Sequence, residues 1–335
     1  MAPFLVALLF GGAMAAAPEN VTVGLLLRRT TSSGELIETG LGQACAALLA
    51  IRDANERDGS VVAEFARVGP SAPWLDMIAR DTRDNDADGL RAYRQLRDAG
   101  ARILIGPGRS SVSNVLAVSG SIDELVLVSP SASASELSHG RPFFFRTYPP
   151  DPSPARGICA LIREYGWQHF SILHFSSTFG RSVAQSTTLA AADFGLIISR
   201  DISFASAQTD EIETAVAQLA CLGNDATALP CPLPVAADLQ PPSNIVLLVC
   251  FAEHLPAIVE AVTRRGILGT GSAWFLYVLP TLPSLNALIS ALPPLEAEIL
   301  SRSLVGVQNI EPGVTALTPG CEARRASLSP FIARR

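Results

Sequence analysis

From Val21 onward, short continuous apolar runs alternate with stretches in which apolar residues recur at three- and four-residue spacing. The runs are too short for helices and are bounded by Gly, Pro or polar residues. They predict strands near 21–27, 75–80, 102–105, 125–128, 170–175, 196–202, 245–251 and 273–279. The periodic stretches predict helices near 41–56, 88–99, 111–122, 153–165, 181–194, 208–221 and 253–265. Strands that are apolar on both faces and regularly separated by helices imply parallel sheets covered on both sides, an α/β fold. The segment from Tyr148 to Pro154 contains four prolines, so it is stiff and extended. It divides the alternation into two doubly wound series, a first lobe over 18–148 and a second over 149–305. Residues 223–243 are rich in Pro and Ala and carry no periodicity, which predicts a surface insertion in the second lobe.

The N-terminus departs from this rhythm. Met1 to Phe10 is an apolar run, followed by Gly11, Gly12 and the small-residue stretch Ala13 to Ala17 before Pro18. This is the pattern of a signal peptide over 1–17 and places the chain on the exported side of a membrane, secreted or extracellular. The alternative is a short apolar strand or disordered start. Asn20-Val21-Thr22 forms a glycosylation sequon just after the expected cut. Of six cysteines, none forms a C-x-x-C pair or a Cys/His cluster, so zinc is not expected. Cys221 and Cys231 flank the Pro-rich stretch and could close a short loop, whereas Cys45 and Cys250 sit in apolar patterns as buried thiols.

Composition removes several function classes. The formal charge is −6 with a pI near 5.3, and no basic patch with interleaved aromatics occurs, which argues against nucleic acid. All 25 basic residues are arginine. Without lysine, a Schiff-base enzyme and a P-loop are excluded. No nucleophile, base and orienting group form a set, so no enzyme activity and no cofactor are expected. The run Asp84-Asn85-Asp86-Ala87-Asp88-Gly89 imitates the start of a calcium loop, but Gln95 stands where the closing Glu belongs. It reads instead as a solvated helix start that Asp88 caps. His139, His169, His174 and His254 are scattered, and His169 and His174 read as core or strand-edge residues.

Two loops carry the candidate chemistry. Gly106-Pro-Gly-Arg-Ser-Ser-Val112 follows one expected strand and Ser129-Pro-Ser-Ala-Ser-Ala-Ser135 follows the next. Carboxyl ends of adjacent strands are where open α/β sheets bind ligands. Glycines allow tight turns, and hydroxyls with helix N–H groups suit a carboxylate or another anion. The alternative is that these serines, Ser110 or Ser111 among them, only cap helices.

The order of motifs then points to a family. The succession runs Gly40-x-Gly42, Ala50-Ile-Arg-Asp-Ala-Asn55, Asp81-Thr82, Ile105-Gly-Pro-Gly108 and Ser131-Ala-Ser-Ala-Ser135. It continues with Glu136-Leu-Ser138, Phe143-Phe-Phe-Arg-Thr147, Pro150-Asp151, Tyr165-Gly-Trp167 and Phe179-Gly180, then Val249-Cys-Phe-Ala252, Arg264-Arg-Gly266 and Gly306-Val307. Spread over residues 20 to 313, it resembles the receptor family ligand-binding region. That is the type I periplasmic-binding-protein fold of bacterial amino-acid-binding proteins, metabotropic glutamate and GABA-B receptors and guanylyl cyclase ectodomains. The resemblance implies two lobes with a ligand cleft and a return over 306–335 to lobe 1. The chain stops at Arg335, so the end of lobe 1 is expected to be incomplete.

The resemblance also implies residue roles. Matched to the family's positions, Ser111, Ser131 and Ser133 take the ligand carboxylate, Asp151 faces its ammonium or lines the pocket, and Phe179 covers it. The alternatives are that Asp151 only caps the helix beginning near Ser153 and that Phe179 is only core. The segment from Trp274 to Leu279 lacks the acid that amino-acid-sensing receptors carry after this strand, and no lysine is available for a side-chain carboxylate, so glutamate is disfavoured as ligand. The function implied is an extracellular or periplasmic ligand-binding domain. It closes on a small amino-acid-like molecule and signals to a membrane receptor or cyclase part not in this chain. Its partners would be that ligand and, through lobe 1, a second copy in a homodimer. Two variants stand beside this reading: a free solute-binding protein for transport, and a dimeric peptide receptor in which the serines are structural. A large exposed apolar helix face on lobe 1 would favour the peptide receptor.

Overall fold

The computed structural model describes residues 20–69, 71–206, 208–220, 243–267, 272–277, 289–290, 294, 297–298 and 304–306. The apolar start at 1–17, Cys221, Cys231, Cys321, nearly all of the 223–243 insertion and the tail after 306 lie outside the described residues. The described residues fall into two compact units. Unit 1 runs to Ser133 and again over Leu137–Tyr148; unit 2 takes Ala134–Glu136 and the described residues from Pro149 on.

Unit 1 is a sheet of β1 (Val21–Leu27), β2 (Leu75–Asp81), β3 (Ile103–Ile105), β4 (Val126–Ser129) and β5 (Phe144–Arg146). Its order is β2-β1-β3-β4-β5 and every pairing is parallel. Successive strand residues point to opposite faces. Val23, Leu25 and Ile103 therefore pack on one side against Ala47 and Ile51 of α1 (Glu38–Glu56). On the other side lie Leu104 and Leu127, both fully buried. There Leu104 neighbours Leu96 of α2 (Asp86–Asp98), and Leu127 neighbours Gly120 of α3 (Ser110–Asp123).

Unit 2 repeats the plan. Its strands are β6 (His169–Phe175), β7 (Ile197–Phe204), β8 (Ile245–Val249), β9 (Ala273–Leu276) and β10 (Leu304–Gly306), parallel in the order β10-β9-β8-β6-β7. Strand β8 explains its own sequence, Ile-Val-Leu-Leu-Val. Ile245, Leu247 and Val249 face a core shared with α4 (Pro152–Glu164) and α5 (Thr178–Phe194). Val246 and Leu248 face a second core with α6 (Thr209–Ala220) and α7 (Leu255–Arg264). A strand buried on both faces has no polar phase, hence the continuous apolar run.

The parallel α/β architecture expected from the alternation is present. Two strands escaped the pattern, β5 and β10: neither is apolar throughout, one ending on Arg146 and the other on Gly306, whereas the equally short β3 is the continuous apolar run Ile103–Ile105. Two others are shorter than expected: β8 ends at Val249 and β9 at Leu276, beyond which Tyr277 bends away. Among the thiols, Cys250 is buried as read, but Cys45 is only half-buried on α1. Burial pushes the Cys159 thiol up to about 11.

Leu247, fully buried at the centre of the unit 2 sheet, provides the stability test. Leu247→Ala should cost about 2–5 kcal/mol through lost burial and a residual cavity. Val118→Ala, on a side chain 42% exposed, should stay within about 0.5 kcal/mol. Chemical denaturation followed by circular dichroism measures both.

Candidate ligand site at the strand ends

In unit 1 the strand order reverses direction between β1 and β3, the switch point at which connecting loops diverge and leave room at the carboxyl ends. The loop after β3 crosses this point closely. Gly106 has φ +96°, and a Cβ there would lie 2.2 Å from the Leu26 carbonyl oxygen, so the position requires glycine. The Pro107 carbonyl accepts from Ser113 Oγ at 3.0 Å and Ser129 Oγ at 2.6 Å. Ser129 Oγ accepts in turn from the Ala132 N–H at 3.0 Å. Ser131 Oγ donates to the Gly108 carbonyl at 3.2 Å, and Ser110 Oγ accepts from the Ser133 N–H at 3.3 Å. The two serine-bearing loops are thereby bound into one surface.

The candidate serines divide by accessibility. Ser111 and Ser131 are half-buried, and Ser133 is 2% exposed. The helix-capping alternative for Ser110 and Ser111 is overturned: α3 takes Arg109 at its N-cap position and has no side-chain cap, because Ser110 is turned toward the second loop.

A second feature of this edge escaped the sequence reading. Asp84, after β2, is held between Arg28, after β1, and Arg109, after β3. Arg28 Nη2 lies 3.1 Å from Asp84 Oδ2, and Arg109 donates from Nε at 2.7 Å and also contacts it through Nη2. The three side chains are 19%, 8% and 15% exposed in the order Arg28, Asp84, Arg109. Asp84 thus receives two guanidinium groups beside the serine loops, where limited solvent contact screens the pairs weakly. The available signal was positional: charged residues that closely follow adjacent parallel strands share one edge. The remaining acids of this run serve the fold. Asn85, not Asp88, caps α2, its side chain accepting from the Asp88 N–H at 2.9 Å. The Asn85 amide and Arg91 hold the Asp88 carboxyl below its usual range.

The unit 2 edge is aromatic. Its order reverses between β6 and β8. There α5 starts hard against its strand: a Cβ on Gly180 would fall 1.8 Å from the Phe175 carbonyl oxygen, and Ser177 caps the helix by accepting from the Gly180 N–H at 3.1 Å. Phe179, 8% exposed, belongs to the α4/α5 core, and its ring also stands 5.5 Å from Phe251 and 5.7 Å from Tyr277. Phe251 then meets Phe175 at 5.8 Å, and Phe175 meets Phe204 at 5.6 Å and His254 at 4.4 Å.

Asp151 is fully buried. It occupies the N-cap position of α4 in helical conformation but makes no capping bond, so the capping alternative is overturned. Its Oδ1 instead accepts from Tyr277 Oη at 3.3 Å. Tyr277 thus stands just after β9, in the segment where the sequence lacks an acid. The structure brings Ser131 and Ser133 to the Ser110–Ser111 turn within unit 1, and Asp151 and Phe179 to Tyr277 within unit 2.

The receptor family ligand binding region matches residues 43–317. The chain belongs to this family. Two relatives extend the match at low identity. Glutamate receptor 2.2 of Arabidopsis thaliana is 27% identical over 117 residues, 34% of this chain and 13% of the receptor. A receptor-type guanylate cyclase of Drosophila melanogaster is 29% identical over 102 residues, 30% of this chain and 6% of the cyclase. The matched stretches therefore span only a small part of either relative. The crystal structure of a periplasmic binding protein from Burkholderia mallei superposes with a TM-score of 0.58 at 16% identity, covering 80% of this chain and 63% of that one. This likeness establishes the periplasmic-binding-protein fold. Among the described residues of this family member, no helix is long and apolar enough to cross a membrane.

The Arg28–Asp84–Arg109 group should be necessary for the order of the unit 1 edge. Asp84→Ala removes the carboxylate that both guanidinium groups meet, and charged hydrogen bonds contribute about 1.5–3 kcal/mol each. The expected outcome is a lowered melting temperature with faster amide exchange at Gly108–Val112, read by hydrogen-exchange mass spectrometry.

Proposed function

We propose that this ligand-binding region takes a small amino-acid-like molecule on the extracellular or periplasmic side of a membrane. We propose further that it passes the binding event to a receptor or cyclase part outside this chain. The observation that carries the reading is the joined serine surface at the unit 1 switch point, Ser111 and Ser131 at its accessible side and Ser133 beneath. Hydroxyls and the N–H groups at the start of α3 suit a carboxylate. Asp151 supplies a buried carboxylate at the unit 2 edge, suited to an ammonium group, with Phe179 against its partner Tyr277. The export-type N-terminus and the family's receptors and binding proteins support the location. A free solute-binding protein would use the same contacts.

A thermal-shift screen of free amino acids on the purified chain tests this, since a ligand stabilises the native state by RT ln(1 + [L]/Kd). Ser131→Ala should weaken the best ligand about ten- to hundredfold, the equivalent of roughly 1.4–2.7 kcal/mol. Asp151→Asn should do likewise. An unchanged Kd in both variants would reject the assignment.

The dimeric peptide receptor is a second reading, and it too needs a homodimer through lobe 1. On α3 of unit 1, Val118 and Ile122 lie one turn apart and are 42% and 77% exposed. We propose this strip as the contact of a homodimer through lobe 1. Sedimentation of the native chain should give a dimer that Ile122→Arg converts to monomer; a monomer throughout would remove this reading.

A further inference from the structure

We infer that the carboxyl edge of unit 2 is the subsite for a large apolar side chain of the ligand, an aromatic ring foremost. This rests on the amino-acid reading above and adds to it the class of amino acid. The two switch points have opposite chemistry. In unit 1 the edge consists of serine hydroxyls and the Arg28–Asp84–Arg109 group. In unit 2 the same topological position is made of rings: Phe175 ends β6, Phe204 ends β7, Phe251 follows β8 and Tyr277 follows β9. Phe179 and His254 fill the spaces between them.

Two of these rings are not fully enclosed. Phe175 and Phe251 are half-buried, whereas Phe179, Phe204, Tyr277 and His254 are buried. Rings left partly open to water at a strand end are costly, and burying the remainder against an apolar ligand group is favourable. Phe251 meets Phe175 at a 70° interplanar angle and Phe179 at 32°. A further ring at a centroid distance of about 4.5–7 Å would continue this edge-to-face and tilted packing. The carboxylate of Asp151 lies one residue away through Tyr277. The amine and the side chain of one amino acid would thus find complementary groups on the same edge.

Calorimetry on the purified chain decides the matter, with L-phenylalanine, L-leucine, L-serine and L-glutamate, and with phenethylamine and 3-phenylpropionate as partial ligands. L-Phenylalanine should bind at least about tenfold tighter than L-serine, which is roughly 1.4 kcal/mol. Phe251→Leu, chosen to keep the cluster filled and checked by its melting curve, should bring that ratio close to one. L-Serine or L-glutamate binding as tightly as L-phenylalanine, or an unchanged ratio in Phe251→Leu, overturns the subsite and leaves the amino-acid reading standing. Binding of phenethylamine or 3-phenylpropionate without any amino acid supports the subsite and rejects the amino-acid reading. Binding of none of these compounds overturns both.

Discussion

Covering a parallel sheet with helices on both faces leaves the ends of its strands as the places where backbone and side chains can meet a ligand. Everything of chemical interest here follows from that constraint. Leu247 and its neighbours make the strand interiors inaccessible, so the serine loops, the arginine–aspartate group and the aromatic cluster all gather at carboxyl edges. Each unit reverses its strand order once among the described strands, between β1 and β3 and between β6 and β8. Those two reversals set where the loops diverge. Helix starts are brought close to them by glycines at which a side chain would collide with the preceding strand.

What the sequence made legible was set by length and period. The long strands and the helices α1 to α7 announced themselves, since each presents enough residues for a continuous apolar run or a helical stripe. Phe144–Arg146 and Leu304–Gly306 did not, because neither is apolar throughout, whereas the equally short Ile103–Ile105 is. At the site, the glycines and serines of Gly106–Val112 and Ser129–Ser135 were readable as loop chemistry because they follow apolar runs directly. Arg28, Asp84 and Arg109 were not readable as a group. They lie in three separate loops, and only the parallel register of β2, β1 and β3 brings them to one edge. Asp84 to Gly89 imitated a cation loop but was legible as a helix start; what was not legible is that Asp84 is taken by the arginines and that Asn85 rather than Asp88 is the cap. Tyr277 was invisible for the opposite reason. The stretch after β9 carries no acid, and the residue present there is instead a donor to the acid at Asp151.

The absence of lysine acquires a meaning beside the arginine–aspartate group. A guanidinium is planar and can present several N–H groups to one carboxylate while its other edge meets further acceptors. Asp84 receives two such groups at once. An ammonium would supply the charge without the fixed directions, and the loops after β1 and β3 would lose their mutual orientation.

Phe251 touches rings that belong to opposite sides of the unit 2 sheet. Phe179 is part of the α4/α5 core, and Phe175 packs against the α6/α7 core. Layers on the two faces of a sheet commonly open as separate cooperative units, each with its own local unfolding free energy. A ring that spans the strand ends ties the two openings together, so that loosening one layer removes a contact from the other. Whatever rests on that ring would be sensed by both helical layers as a single change in cooperativity, with no displacement of the sheet required.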